Sequence, residues 1–310
     1  PIMRKNPSTM LFAAMALAVA PQRFQFTQSH MGVAVRLTLY APDRATAERA
    51  GRAGFARFAE LDAMMSDYQP GSELNRWVAR AGEGPVAVSP ELFEVLLAAK
   101  RVSALSEGAF DVTAGPVVRL WRESRRSGSL PETSALEEAR SRVGWRQIRL
   151  DSTTRTAEIS QPGIQVDLGG IAKGFACDQA ILAMAAQGVG RAMVEAGGDI
   201  AVSGPPPGLK GWRITVRGLD RQALVLAHQA VSTSGDAEQF VEIGGVRYSH
   251  IVDPRTGLGL RRRLQATVVS RRGIVSDPLA TALCVMGRGS GDRLAKRYGA
   301  EAIWVGPETE

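Results

Sequence analysis

The spacing of apolar residues predicts a helix-rich first part and a strand-rich second part, with the change near residue 145. Between Gly32 and Tyr40, valine and leucine alternate with polar residues, which is typical of a half-buried strand. From about Arg44 to Asp67, phenylalanine, leucine and methionine recur at helical spacing. Ser89-Pro90 then begins a second helix, which Gly108 can end, because serine caps helices and proline is favoured in the first turn.

Beyond Trp145, short apolar runs predict strands, and Gly244-Gly245 between two of them favours a hairpin. Helices are predicted over about 171–186, 277–286 and 291–298. The fold class is therefore α+β, with largely antiparallel sheets and flanking helices. The predicted strands run over Gln147 to Leu150, Thr156 to Ile159, Ala192 to Glu195, Trp212 to Val216, Phe240 to Ile243, Val246 to Val252, Ala266 to Ser270 and Ala302 to Val305.

The first residues have the pattern of a targeting segment. Arg4 and Lys5 precede an apolar run from Met10 to Ala20, so we interpret residues 1–23 as a targeting segment and 24–310 as the folded part. The run is shorter than the roughly 20 apolar residues that span a bilayer, and no cysteine follows it to carry a lipid anchor. We expect an exported protein in the periplasm or at the periplasm-facing surface of the inner membrane.

Charge and composition narrow the choice of ligand. The formal net charge is +7, yet no block of five or six consecutive basic residues occurs and aromatic residues do not interleave with basic ones. This pattern favours an anionic small ligand over nucleic acid. Cys177 and Cys284 lack C-x-x-C spacing, which indicates core residues rather than a zinc site or a disulfide. The three histidines are scattered, so a metal ion would need oxygen ligands.

Two glycine-rich stretches are candidates for binding an anion. In the stretch from Asp167 to Gly174, glycines allow backbone N–H groups to approach a phosphate and Lys173 can balance its charge. The same stretch also fits a purely structural turn, and it has neither the P-loop nor the G-x-G-x-x-G spacing. The paired glycines between Glu195 and Asp199 can likewise form a simple turn between strands.

Two further stretches place single polar residues near helix or strand ends. His250 lies near a strand end before a polar turn, where it is either a functional imidazole or a structural residue. If Pro278 occupies the first helical position, Asp277 is an N-cap. Alternatively, the Asp277 carboxylate and the Thr281 hydroxyl four residues later, with nearby carbonyls, supply the oxygen ligands that magnesium prefers.

In this order along the chain, the four stretches resemble the ApbE-like family, the FAD:protein FMN transferases, from about Met31 to Gly287. The resemblance implies two lobes around an FAD cleft. Three positions depart from the family pattern, namely Val33, Glu195 and Ala237. The other matching segments are Met31-Gly32, Met65-Ser66-Asp67-Tyr68, Ser72-Glu73-Leu74, Gly108-Ala109-Phe110-Asp111-Val112-Thr113, Gly115-Pro116, Leu120-Trp121 and Ser232-Thr233-Ser234-Gly235.

The resemblance also implies roles for individual residues. Tyr68 is expected to pack on the flavin ring, His250 to activate the acceptor hydroxyl, and Asp277 to be catalytic through the metal. Lys173 is expected to contact FAD as a surface-type lysine whose truncation costs little stability. The implied metal is magnesium, or alternatively manganese, with Gly170, Asp277, Ala280 and Thr281 as ligands. The implied FAD contacts are Met31, Tyr68, Ala109, Phe110, Asp111, Asp167, Lys173 and Ile251.

The function implied by the resemblance is metal-dependent transfer of FMN from FAD to a threonine or serine of an acceptor protein, with release of AMP. The implied acceptor is a redox protein, associated with a membrane. Two other functions stay open at this point. The same site suits a metal-dependent FAD pyrophosphatase that gives FMN and AMP, and it also suits a non-catalytic FAD carrier.

Overall fold

A computed structural model describes residues 20–219, 223–235 and 240–307. Residues 1–19, which carry most of the predicted targeting segment, and Ala237 lie outside them. The strands are β1 (Gln22–His30), β2 (Val33–Ala41), β3 (Val86–Ala87), β4 (Ile148–Asp151), β5 (Thr156–Ile159), β6 (Ala192–Ala196), β7 (Asp199–Val202), β8 (Trp212–Thr215), β9 (Ala223–Leu226), β10 (Gln229–Ser234), β11 (Phe240–Ile243), β12 (Val246–Ser249), β13 (Gln265–Ser270) and β14 (Glu301–Val305).

Helices interrupt these strands at several points along the chain. The helices predicted near residues 44, 90 and 171 are confirmed, whereas three others (the second, fourth and fifth) were not predicted. A single 3-10 turn spans Trp145–Gln147. The helices are α1 (Arg44–Met65), α2 (Glu73–Val78), α3 (Pro90–Leu105), α4 (Gly115–Ser127), α5 (Thr133–Ser141), α6 (Ala172–Ala186), α7 (Gly273–Met286) and α8 (Arg288–Arg297).

The main sheet has seven strands in the order β1-β2-β6-β7-β10-β13-β14. All of its neighbouring strands pair antiparallel, so the predicted α+β fold with largely antiparallel sheets is confirmed. β1 starts at Gln22, within the last two residues of the predicted targeting segment, and pairs with β2 over its whole length. The sheet joins strands from both sides of residue 145, so the change of character along the sequence does not separate two sheets.

The core lies between the main sheet and helices α1, α6 and α7. α1 is capped by Asp43, whose carboxylate accepts from the Thr46 amide at 2.7 Å, and it buries Phe58 and Leu61 completely. α6 buries Phe175 and Cys177 in the same core. Most of α7 and the first turns of α6 are buried, and the first turn of α6 and one side of α7 border the site described below.

The smaller sheets surround this core. β3, β5 and β4 form one sheet, β8 and β9 a hairpin, and β11 and β12 another. The predicted hairpin at Gly244-Gly245 is confirmed, with left-handed φ angles of 59° and 74° that suit glycine. Among the described residues, no helix combines the length and the apolar character needed to cross a bilayer.

Candidate active site

A cleft of about 820 Å³ opens beside the main sheet, at the first turn of α6 and along one side of α7. Its walls also include α4, the loop after β12, and the end of β8 with the residues that follow it. Most residues expected to contact FAD or metal lie in this one cleft. They are Ala109, Phe110, Asp111, Asp167, Gly170, Lys173, His250, Ile251, Asp277 and Thr281.

Three predicted site residues lie elsewhere. Tyr68 is 73% exposed and lines a neighbouring pocket of about 590 Å³. Met31 has a left-handed φ of 49° and donates its amide hydrogen to Asp62 at 3.3 Å, in the turn between β1 and β2. Ala280 is fully buried in α7, one residue before Thr281. Neither Met31 nor Ala280 is among the described residues that line the cleft.

A glycine contact between α6 and α7 builds the floor of the cleft. A Cβ atom on Gly174 would overlap the carbonyl oxygen of Gly273, and a Cβ atom on Gly273 would overlap that of Gly174. Each helix also caps the other: Asp178 of α6 accepts from the amides of Gly273 and Ile274 at 2.6 and 3.1 Å, and Asp277 of α7 accepts from the amide of Gly174 at 3.0 Å. Burial raises the pKa of Asp178 to about 6.

This contact brings Lys173 of α6 beside Asp277 of α7, and the start of β7 adds Asp199; we call these three charged groups the inner cluster. The Lys173 ammonium lies 3.0 Å from the Asp199 carboxylate and 3.8 Å from that of Asp277. Burial, and then the negative charge of Asp199, raises the pKa of Asp277. Burial alone would lower the pKa of Lys173, but the charges of Asp199 and Asp277 raise it overall. The ammonium therefore holds together two carboxylates that would otherwise repel each other.

The helix-cap interpretation of Asp277 is wrong. α7 starts at Gly273, with Arg272 as its N-cap, so Asp277 and Pro278 lie inside the helix. Asp277 is 4% exposed, and its carboxylate reaches across to α6 rather than to the first amides of its own helix. The sequence misled here because Asp-Pro is a common start of a helix, whereas four more residues precede it in this one.

The oxygen groups around the inner cluster fit a hard divalent cation. The two carboxylates and one ammonium carry a net charge of −1 when ionised. The Thr281 hydroxyl lies 3.2 Å from the Ser234 hydroxyl and 3.6 Å from the position of a Cβ atom on Gly170. In the described part of the chain, no three His, Cys, Asp or Glu side chains lie close enough together to hold a metal ion by themselves. Hydroxyl and carbonyl oxygens would therefore complete the coordination shell of the cation.

The structure changes the interpretation of Lys173. It was expected to behave as a surface-type lysine, but its side chain is only 21% exposed and also donates to the Gly169 carbonyl at 3.1 Å. Its truncation would leave two buried carboxylates without a counter-charge. Lys173 is therefore a structural element of the site as well as a residue that lines the cleft.

Asp111 and Asp167 hold the loops of the cleft in place. The Asp111 carboxylate accepts from the Thr113 hydroxyl and amide at 2.7 and 2.8 Å and from the Trp145 amide at 2.9 Å. Burial raises its pKa. Asp167 accepts from the Gly169 amide at 2.8 Å, which shapes the glycine turn before α6.

His250 lies directly after β12, which ends at Ser249 rather than at Val252 as predicted. Two hydrogen bonds fix the backbone around His250. The Trp121 indole donates to the Ser249 carbonyl at 2.9 Å, and the Ile251 amide donates to the Ser249 hydroxyl at 3.0 Å. His250 is half-buried and lines the cleft, whereas Ile251 beside it is 7% exposed. The turn thus presents the imidazole to the same space as Asp277 and Thr281.

α4 contributes a row of arginines that the sequence analysis missed, which we call the arginine face: Arg119, Arg122, Arg125 and Arg126. All four line the smaller pocket with Asp67, Tyr68 and Phe240, and Arg122 and Arg125 line the main cleft as well. Arg122 lies 2.9 Å from the Asp167 carboxylate and 3.6 Å from that of Asp67. Its guanidinium carbon is 5.3 Å from the centre of the Tyr68 ring. The i, i+3, i+7 spacing of residues 119, 122 and 126 is the signal that was available.

Two of the three departures from the family pattern have visible consequences. Val33 lines the cleft and packs against Gly197. Glu195 of β6 forms a cross-strand ion pair with Arg36 of β2 at 3.6 Å.

Asp199 and Ser234 also line the cleft. Neither was predicted as a site residue from the sequence, although both lie within the glycine-rich and polar stretches that carry the family resemblance.

The model of the ApbE family matches residues 31–304. The chain is 35% identical to the FAD:protein FMN transferase of Vibrio cholerae over 76% of this chain and 73% of that protein. It is 31% identical to the FAD:protein FMN transferase of Haemophilus influenzae over 95% of this chain and 91% of that protein.

Among solved structures, the flavinyl transferase ApbE of Pseudomonas stutzeri in its apo form superposes with a TM-score of 0.82. It is 29% identical over 94% of this chain and 93% of that one. The flavin transferase ApbE of Vibrio cholerae gives 0.81, with 30% identity over 92% and 93% of the two chains.

Proposed function

The chain belongs to the ApbE family, and on this premise we propose that it transfers FMN from FAD to a threonine or serine hydroxyl of an acceptor protein and releases AMP. The observation that carries the proposal is that one cleft brings together an imidazole, a glycine turn at the start of a helix and the inner cluster. A binding protein for FAD needs the glycine turn, but it does not need a half-buried base beside buried carboxylates.

The glycine turn supports the binding of the FAD pyrophosphate. Gly169 and Gly170 line the cleft just before the first turn of α6, where the positive end of the helix dipole favours an anion. Phe110 packs within 3.2 Å of the Cβ position of Gly170, so any side chain there would press on the aromatic ring. This arrangement keeps the backbone of the turn open to a phosphate group.

The proposed reaction is a displacement at the phosphorus of the FMN half. The acceptor hydroxyl oxygen forms a new bond to this phosphorus, the bond from phosphorus to the bridging oxygen breaks, and AMP leaves with that electron pair. His250 accepts the hydroxyl proton, because an imidazole is suited to act as a general base towards a hydroxyl group. The hydrogen bond from the Ile251 amide to the Ser249 hydroxyl fixes the backbone on both sides of His250.

Asp277, Thr281 and the carbonyl of Gly170 would hold magnesium or manganese, with the carbonyl of Ala280 as a further candidate. Such a cation, when bound, supplies charge neutralisation of the phosphate oxygens. Lys173 keeps Asp277 and Asp199 in place without itself being a metal ligand, since an ammonium has no lone pair to offer.

The acceptor and the location are part of the same proposal. The apolar run of residues 10–20 supports export, and we propose that the protein acts on the periplasmic side of a membrane-associated redox protein. Appending residues 1–23 to a reporter that is active only outside the cytoplasm tests the export, and a reporter that stays inactive contradicts it.

The function is tested by incubating the protein with FAD, MgCl₂ and candidate acceptors that carry a threonine, followed by intact-mass measurement. A mass gain equal to FMN minus water on the acceptor supports transfer. Release of AMP and free FMN without a mass gain supports the pyrophosphatase. Retention of intact FAD, with neither product, supports a carrier and contradicts both enzymatic functions.

His250→Asn, with His228→Asn as its matched control, tests the base. His228 is an exposed histidine with a left-handed φ of 55°, a conformation that asparagine tolerates. We expect His250→Asn to slow transfer about 10²–10⁴-fold with unchanged FAD affinity, and His228→Asn to have no effect. Full activity of His250→Asn would remove this residue from the mechanism.

A further inference from the structure

The arginine face is the part of the site that the transfer reaction itself does not use. Arg119, Arg125 and Arg126 make no hydrogen bond or ion pair through their guanidinium groups with any described residue. The pocket that they line contains four arginines and one carboxylate, Asp67, which is already paired with Arg122. Three arginines without a carboxylate partner among the described residues therefore line one open pocket of about 590 Å³.

We propose that the arginine face binds an acidic segment of the acceptor protein and guides its hydroxyl into the cleft; this inference rests on the proposed transferase function. The pocket is continuous with the cleft, because Arg122 and Arg125 line both. A chain that crosses the pocket therefore arrives at the space occupied by His250 and Thr281.

The dimensions of the arginine face suit a peptide better than a single phosphate group. Arg119 and Arg126 are seven residues apart on α4, which corresponds to about 10 Å along the helix axis. An extended peptide covers that distance with about three residues. The exposed rings of Tyr68 and Phe240 at the rim can pack against apolar side chains of the same segment. The FAD pyrophosphate, in contrast, has its own site at the glycine turn.

The experiment measures peptide binding by fluorescence anisotropy, using the full chain in the presence of saturating FAD. The probes are two short fluorescein-labelled peptides with a central threonine, one flanked by glutamates and the other by glutamines. We expect the glutamate peptide to bind about tenfold more tightly at low salt, since a few exposed charge pairs of 0.2–1 kcal/mol each give that factor. The preference should disappear in 0.5 M NaCl.

The double variant Arg119→Glu/Arg126→Glu should lose the preference, because neither residue lines the FAD cleft and only the charge of the pocket changes. Arg52→Glu is the matched control, since Arg52 is an exposed arginine on α1 without an ion pair among the described residues. This control should keep the preference and the FAD affinity of the unmodified protein.

Three outcomes overturn the proposal: equal binding of both peptides with and without FAD, including no binding of either, a preference that survives in the double variant, or a preference that appears without FAD and is lost when FAD is added. The last outcome would assign the pocket to the nucleotide. Intact mass of the same samples tests the transferase separately, since anisotropy requires no turnover. A binding preference without an FMN adduct on any acceptor would contradict the proposed function and not the binding surface.

Discussion

Two charged regions border the same cleft, and they are built in opposite ways. In the inner cluster, Lys173, Asp199 and Asp277 are mostly buried and each charge has a partner within 4 Å. On the arginine face, Arg122 is the one arginine with carboxylate partners among the described residues, and the other three line the pocket without one there. The inner cluster is fixed by the packing of two helices and a strand, whereas the arginine face follows from the sequence of one helix.

The difference separates the two tasks of a group-transfer enzyme. Buried charges are costly to desolvate, so they persist only where geometry supports them, and that geometry suits chemistry. Exposed charges cost the fold almost nothing and act on a partner over the Debye length of about 8–10 Å. Substitutions in the inner cluster should therefore change activity and stability, and substitutions on the arginine face should change recognition alone.

The largest effect is expected for Asp277→Asn. Because it removes a full negative charge from the candidate metal ligands, FMN transfer and any FAD hydrolysis should both fall about 10³-fold, and magnesium affinity measured by calorimetry should fall with them. The fold should persist, since asparagine can still accept from the Gly174 amide. Asp43→Asn, at the true N-cap of α1, is the control and should be nearly silent. A fully active Asp277→Asn would remove the metal site.

Lys173→Ala should come next, with a loss of about 3 kcal/mol in the free energy of unfolding, measured in urea. The reason is that two buried carboxylates lose their shared counter-charge. Adding Asp199→Asn should restore part of the loss, because one of the repelling charges is removed. Lys210→Ala, at an exposed lysine, is the control. Equal stability of the Lys173→Ala and Lys210→Ala variants would show that the Lys173 ammonium does not stabilise the two carboxylates of the inner cluster.

Gly174→Ala should cost about 2 kcal/mol, because its methyl group would overlap the Gly273 carbonyl and push α6 from α7. Thermal unfolding measures the cost, and activity should decrease as Lys173 moves relative to Asp277. Gly190→Ala is the matched control, since no other atom lies within 4 Å of its Cβ position. A Gly174→Ala variant as stable as this control would contradict the close contact of the helices.

The smallest effect on stability is expected for Arg126→Ala, with a change of less than about 0.5 kcal/mol in the free energy of unfolding. The side chain is exposed and has no partner that would be left unpaired. Chemical denaturation measures the change. A loss greater than about 1 kcal/mol would mean that the arginine face contributes to the fold, and the contrast with the inner cluster would fail.

Local patterns determined the parts of the fold that depend on neighbours in sequence. The alternation after Gly32, the helical spacing after Arg44 and the Ser89-Pro90 helix start all correspond to observed elements. β1 escaped prediction because it is an edge strand whose polar side chains are largely exposed, so its pattern carries little hydrophobic signal. α5 escaped for a similar reason, since Ala139 is its one buried residue, whereas α4 has a buried face around Val117 and Trp121 and was overlooked.

The order of glycine-rich and polar stretches identified the family and most residues of the cleft, because each stretch carries its own turn and its own chemistry. The sequence does not determine the distances between these stretches. Lys173, Asp199 and Asp277 are far apart in sequence, and the packing of α6, α7 and β7 brings both carboxylates within 4 Å of the Lys173 ammonium. Whether Asp277 caps its own helix or reaches another depends on where α7 starts, and whether an arginine is paired depends on which carboxylates pack beside it. These are properties of tertiary packing, since charge interactions act through space and not along the chain.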